Sequence, residues 1–169
     1  MSSEQQPLEL QSSIVRRLTL GTAVFSGMAA LAASFADVMG PYVTVAIGSA
    51  LGGVARHWCT VVSIEWLGVA FPWGTLFINI LGSFVIGFFF AIAEPHSRFE
   101  ASTNVRLFIM TGICGGYTTF SAFSLQSLSL FQNGMWFRGG SYVVASVVLC
   151  LIAVWAGFVL AKTVAQFIQ

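Results

Sequence analysis

Charged side chains cut this chain into long uncharged intervals, and those intervals predict its elements. Residues 18–36, 66–93, 107–137 and 139–161 contain no Asp, Glu, Lys or Arg, and residues 41–64 contain only Arg56, with His57 beside it. A bilayer-spanning helix needs about 20 apolar residues, so four spans are expected. The first is 41–64, closed by Glu65. The second, 73–93, starts after Pro72, a helix-start residue, with the interfacial aromatic Trp73, and ends at Pro95. The third begins near Arg106 and holds the apolar run Leu107 to Leu130; the fourth is 139–161, closed by Lys162. Between the second and third, Glu94 to Asn104 is the longest hydrophilic stretch inside the chain and reads as a loop outside the bilayer.

Composition narrows the function classes. Of 169 residues, 57% are hydrophobic and 8% charged, with mean hydropathy +0.87. A soluble domain carries about 25% charged residues, so an ordinary soluble enzyme, a disordered tail and a nucleic-acid binder are excluded. The expected fold class is an all-α integral membrane protein with four transmembrane helices per subunit, and its chemistry lies within the membrane.

The first forty residues stand apart. Ser2 to Arg17 is polar and Leu18 to Ala36 is an uncharged run diluted by Gly, Ser and Thr. It reads as a fifth span, an interfacial helix or a signal-like leader ending at Ser34-Phe35-Ala36. The positive-inside rule separates two of these. Without a crossing at 18–36, Arg16, Arg17, Arg98, Arg106 and Lys162 face Arg138, five against one; with one, Arg16, Arg17 and Arg138 face Arg98, Arg106 and Lys162, three against three. Only the balanced count favours insertion in both orientations.

Polar groups inside spans are costly and therefore informative. Arg56, His57, Asn79, the cluster Tyr117-Thr118-Thr119-Phe120-Ser121, Tyr142 and Ser146 stand out, and no Asp or Glu lies within the four spans. That absence argues against proton-driven antiport, which usually uses a membrane carboxylate. Taken singly, Asn79, Ser146 and the threonines also fit as hydrogen-bonding glue between helices. The third span adds a stronger signal. Gly112-Ile113-Cys114-Gly115-Gly116-Tyr117-Thr118-Thr119 places glycines and β-branched threonines mid-run, where a helix should break. Irregular backbone at membrane depth is tolerated where it is buried or lines a cavity, and its carbonyls suit a hard cation. Gly112 and Gly116, four apart, alternatively permit close packing. Phe120 and Phe123 follow on one face and would offer electropositive ring edges to an anion, unless they are simply packing. Gly48 with Gly52, and Ser83 with Gly87, give small faces where self-association is expected. Cys59, Cys114 and Cys150 lack metal or redox spacing and read as packing residues.

Three stretches in order on successive spans together resemble the CrcB/Fluc family of single-domain fluoride channels. They are Gly48 to Arg56, Gly74 to Phe84 with its Gly-Thr, Asn and Gly-Ser-Phe pattern, and Gly112 to Ser124, GICGGYTTFSAFS. The resemblance covers about residues 41–162, leaving an extension, 1–40, and a short tail, 163–169. It implies a passive channel rather than an enzyme, which exports fluoride across the bacterial plasma (cell inner) membrane and so limits its toxicity. It implies a dual-topology antiparallel homodimer with broken third helices crossing at the midplane around one structural sodium ion, which is not transported. Gly115 and Thr118 match the positions whose backbone carbonyls hold that sodium. Asn79, Phe120, Phe123, Tyr142, Ser146 and Arg56 match positions along the fluoride path. Gln126 stands where the family usually has Glu. The rival classes are a small dual-topology multidrug transporter, which would need a first-span Glu where this chain has Arg56, and a non-transporting membrane scaffold, which leaves the midplane break unexplained.

Overall fold

The structure is a computed structural model that describes residues 5–94 and 100–167, with side chains from Ser26 onward. The chain falls into two units, Met1–Gly40 and Pro41–Gln169. Among the described residues every regular element is helical. The first unit is helical from Gln5, and most of its described apolar side chains are exposed, among them Met28 65%, Leu31 72% and Phe35 67%. Helix α1 has the bounds Gln5–Leu67, with Pro41 inside it. Thus 18–36 and the expected first span, 41–64, are stretches of one helical element, which overruns the expected end by three residues.

The second unit is built by short turns with recognisable chemistry. Gly68 ends α1 with φ +72, its N–H donating to the Ile64 carbonyl (3.0 Å); glycine takes this left-handed conformation without steric cost. α2, Trp73–Ile92, starts after Pro72 as expected and closes with the Ala93 N–H on the Phe89 carbonyl (3.0 Å). The Ser102 hydroxyl accepts the Val105 N–H (3.4 Å) to start α3, Thr103–Arg106. A π-helical segment, Leu107–Cys114, follows, then α4, Gly115–Tyr117, and α5, Phe120–Gln132. Gly134, φ +73, turns the chain into α6, Trp136–Phe167, which is longer than the predicted 139–161. Pro95, His96 and Arg98, assigned to the polar loop, lie outside the described residues.

Three described helices are long and apolar enough to cross a membrane: Ser26–Leu67, Trp73–Ile92 and Trp136–Phe167. The third expected span is instead divided among shorter elements. The break falls at the threonine end of the predicted Gly112–Thr119 stretch. Gly115 and Gly116 are helical, and the extended residues are Thr118 (φ −76, ψ 157) and Thr119 (φ −151, ψ 108). A β-branched residue accommodates the extended region well.

Two glycine seams hold this unit together. A Cβ on Gly48 would lie 2.6 Å from the Phe108 carbonyl and 2.9 Å from the Gly112 Cα, and one on Gly116 would lie 2.5 Å from the Ser49 carbonyl. A Cβ on Gly52 would likewise strike the Ile113 carbonyl. Between α2 and α6, Gly87 sits on the Val154 carbonyl and Gly157 sits on the Phe84 carbonyl. The Gly48/Gly52 face and Gly87, read from sequence as places for self-association, are therefore used inside one chain. Backbone reaches backbone there because no side chain intervenes. At one end of the unit the Lys162 ammonium pairs with the Glu94 carboxylate, and the Arg106 guanidinium donates to the Ala93 carbonyl (2.7 Å). The buried apolar cluster is small, Leu76, Phe123, Leu130 and Tyr142. The large apolar side chains left outside suit hydrocarbon rather than water.

Candidate ion-path site

Thr118 and Thr119 leave the helix and must find partners for backbone groups that helices would satisfy. Asn79, on α2, supplies two. Its Oδ1 accepts the Thr119 N–H (2.8 Å) and its Nδ2 donates to the Thr119 carbonyl (3.2 Å). The Thr119 side chain then caps α5, its Oγ1 accepting the Ala122 N–H (3.2 Å). The Thr118 hydroxyl donates back to the Cys114 carbonyl (2.9 Å), which also accepts the Thr118 N–H (2.9 Å).

A cavity of about 430 Å³ opens beside the break. Asn79, Gly82 and Ser83 line it from α2, Met110 and Cys114 from the π-helical segment, and Gly115, Thr118, Thr119, Phe120 and Phe123 from the break. Ser146 and Cys150 line it from α6. Ser146 is 5% exposed, and its Oγ has no hydrogen-bond partner among the described residues. A buried hydroxyl left this way is a ready donor. The Phe120 and Phe123 rings stand 5.3 Å apart at 49°. They differ sharply in setting, because Phe123 is 8% exposed and Phe120 is 77% exposed.

The structure thus gathers six of the eight singled-out residues: Asn79, Gly115, Thr118, Phe120, Phe123 and Ser146. Tyr142 lies behind the cavity wall, fully buried against Phe123 (centroids 5.4 Å), its hydroxyl donating to the Gln126 Oε1 (3.0 Å). Arg56, on α1, is half-buried and does not line the cavity. Asn79 is more engaged than an amide reserved for a passing anion. One Nδ2 proton remains beyond the bond to Thr119.

Four residues take part in ways the sequence does not assign. Gln126 fixes the Tyr142 hydroxyl. Thr119 holds the break from both its backbone and its side chain; a Thr just before an apolar helix is an N-cap signal that was legible. Cys114 and Cys150, read as packing residues, are cavity-wall residues. Among the described residues, no group of three His, Cys, Asp or Glu could hold a metal. The oxygens beside the break are backbone carbonyls and the side chains of Asn79, Ser83, Thr118, Thr119 and Ser146.

Gly115 and Thr118 carry two of the backbone carbonyls at the break. In a continuous helix their donors would be the N–H groups four residues on, Thr119 and Ala122. Both are spent elsewhere, on Asn79 Oδ1 and Thr119 Oγ1.

Comparison with known proteins extends over this same unit. The family described as CrcB-like protein, camphor resistance (CrcB), matches residues 43–158. A protein of Methylocella silvestris named fluoride-specific ion channel FluC is 50% identical over 125 residues, covering 74% of this chain and 95% of that relative. Proteins of the same name from Opitutus terrae and Paramagnetospirillum magneticum are 48% and 49% identical, each over 73% of this chain and over 93% and 96% of their own lengths.

Proposed function

The chain belongs to the CrcB family, and on that premise we propose that it is a passive fluoride-selective channel that lets fluoride leave the cytoplasm through a bacterial plasma membrane. The observation that carries this reading is the cavity. An apolar wall, two phenylalanine rings, one available amide proton and one unpartnered hydroxyl meet at a helix break.

Fluoride is small and strongly hydrated, so a path must replace water with donors and yet release the ion quickly. The second Nδ2 proton of Asn79 and the Ser146 hydroxyl replace part of the hydration shell. The ring edges of Phe120 and Phe123 attract the anion weakly, which allows it to move on. Tyr142, held by Gln126, braces Phe123 from behind, and Arg56 acts only as a remote positive charge towards the mouth. No carboxylate lies in residues 41–64, 73–93, 107–130 or 139–161, so the flux follows the fluoride gradient without proton coupling.

The working unit in this reading is an antiparallel homodimer of four-span domains, residues 41–162, with each third span broken at the midplane. The exposure of Gly115 and Phe120 beside the break supports a second copy seated there. A sodium ion held by the carbonyls of Gly115 and Thr118 would supply a fixed positive charge at the dimer centre and would not be transported. Purified protein in liposomes loaded with fluoride or chloride, with valinomycin present, tests the function. Rapid fluoride release with chloride retained is expected; release of neither anion from a folded preparation overturns the reading.

A further inference from the structure

The break at Thr118-Thr119 has an unusual distribution of hydrogen-bond donors. In a continuous helix the donors to the carbonyls of Gly115 and Thr118 would be the N–H groups of Thr119 and Ala122. Each is claimed instead by a side chain: Thr119 N–H by Asn79 Oδ1 at 2.8 Å, Ala122 N–H by Thr119 Oγ1 at 3.2 Å. Asn79 comes from a different helix, forty residues away in sequence, and closes a two-bond ring with the Thr119 peptide groups through its second bond at 3.2 Å. Geometry this specific is not needed for an amide whose task is to meet an anion.

We propose that Asn79 and Thr119 are positioning residues for the cation site: by taking the two helical donors, they keep the Gly115 and Thr118 carbonyl oxygens available to a hard monovalent cation. The inference rests on the cation assignment made under the proposed function. Neither side chain touches the cation in this scheme; each acts through a backbone N–H. Asn79 thereby serves both functions of the site, its Oδ1 and one Nδ2 proton holding the break while the residue also lines the cavity with one Nδ2 proton to spare. Partners of this kind, which orient ligands without being ligands, typically contribute 10–100-fold to metal affinity.

Thr118-Thr119 is the only Thr-Thr pair in the sequence. Labelling threonine with carbonyl ¹³C and amide ¹⁵N therefore gives one signal for the Thr118–Thr119 peptide bond in solid-state NMR of the full-length protein in lipid. Its carbonyl shift reports a cation at the Thr118 oxygen, and its nitrogen shift reports the bond to Asn79. Titrating sodium against N-methylglucamine should move the carbonyl shift in the wild type. In Asn79→Ala the nitrogen shift should move towards helical values and half-saturation by sodium should rise about tenfold or more. Asn79→Asp keeps an acceptor for the Thr119 N–H and loses the amide donor, so it should retain the sodium response while fluoride efflux falls.

Unchanged sodium half-saturation in a folded Asn79→Ala protein, with only fluoride efflux reduced, overturns the proposal and leaves Asn79 a pore amide alone. Loss of the sodium response in Asn79→Asp as well as in Asn79→Ala also overturns it, because the requirement would then lie in the Nδ2–H bond to the Thr119 carbonyl rather than in the claimed N–H. A wild-type signal indifferent to sodium in a protein that conducts fluoride removes the cation site but not the channel. A sodium response without fluoride conduction does the reverse.

Discussion

Phe120 and Phe123 are three residues apart and chemically identical, yet the fold asks different things of them. Phe123 is buried against Tyr142 and belongs to the small core, whereas Phe120 is 77% exposed. Replacing either by Ile removes a ring edge from the proposed path, so both Phe120→Ile and Phe123→Ile should lower fluoride efflux from liposomes. Only Phe123→Ile should also weaken the chain's own packing, by about 1–2 kcal/mol, the usual scale for a shape change in a packed core. Unfolding in mixed detergent and lipid separates the two. Equal stability losses would mean that Phe120 packs against the second copy as firmly as Phe123 packs within the chain. This difference was not legible in the sequence, where the pair reads as one feature. The break residues were legible, because GGYTT is a local signal. The Asn79–Thr119 pairing was not, since it joins positions forty apart and depends on how α2 lies against the break.

At the level of elements, the sequence identified helices well and their partners poorly. The start of α2 at Trp73 is fixed by local chemistry, Pro72 and an aromatic, and was found. The π-helical segment Leu107–Cys114 was not, because a shift to bonds five residues apart leaves no composition signature. Small residues four apart announce a close contact but not whether it lies within a chain or between chains. Here α2 and α6 interlock, Gly87 under the Val154 carbonyl and Gly157 under the Phe84 carbonyl. Gly87→Ala or Gly157→Ala must push backbone from backbone and should destabilise the subunit by about 1–3 kcal/mol. Gly140→Ala, which meets nothing within 4 Å, should be neutral or stabilising by about 0.5–1 kcal/mol, because alanine is the better helix former. Equilibrium unfolding of the three variants in the same detergent measures the contrast. If all three behave alike, the seam does not carry the α2–α6 contact.

At the scale of the whole molecule, one crossing of the roughly 30 Å hydrocarbon core takes about 20 helical residues at 1.5 Å each. Residues 41–67 alone cover a full crossing. The uncharged run 18–36 then needs its own solvent, and its 19 residues would rise about 28 Å, the thickness of one hydrocarbon core. With Met28, Leu31 and Phe35 exposed in the first unit, water is a poor solvent for it and lipid a good one. We therefore expect residues 18–36 to cross the bilayer as a fifth span, the chain reversing in the Asp37–Pro41 stretch, where Gly40 and Pro41 weaken a helix; this also gives the three-against-three charge balance suited to insertion in both orientations. Dual insertion complicates ordinary topology mapping, because every site labels in half of the molecules. Two cysteines in one chain avoid this. With the native cysteines replaced by serine and fluoride efflux retained, Ser12→Cys and Val38→Cys together are treated with an impermeant maleimide on sealed proteoliposomes, and intact mass counts the labels per chain. A crossing between residues 12 and 38 gives chains labelled once, whichever way they insert. Chains labelled twice or not at all would place the segment on one side of the membrane, and a mass lacking the first segment would make it a cleaved leader; either result rejects the fifth span.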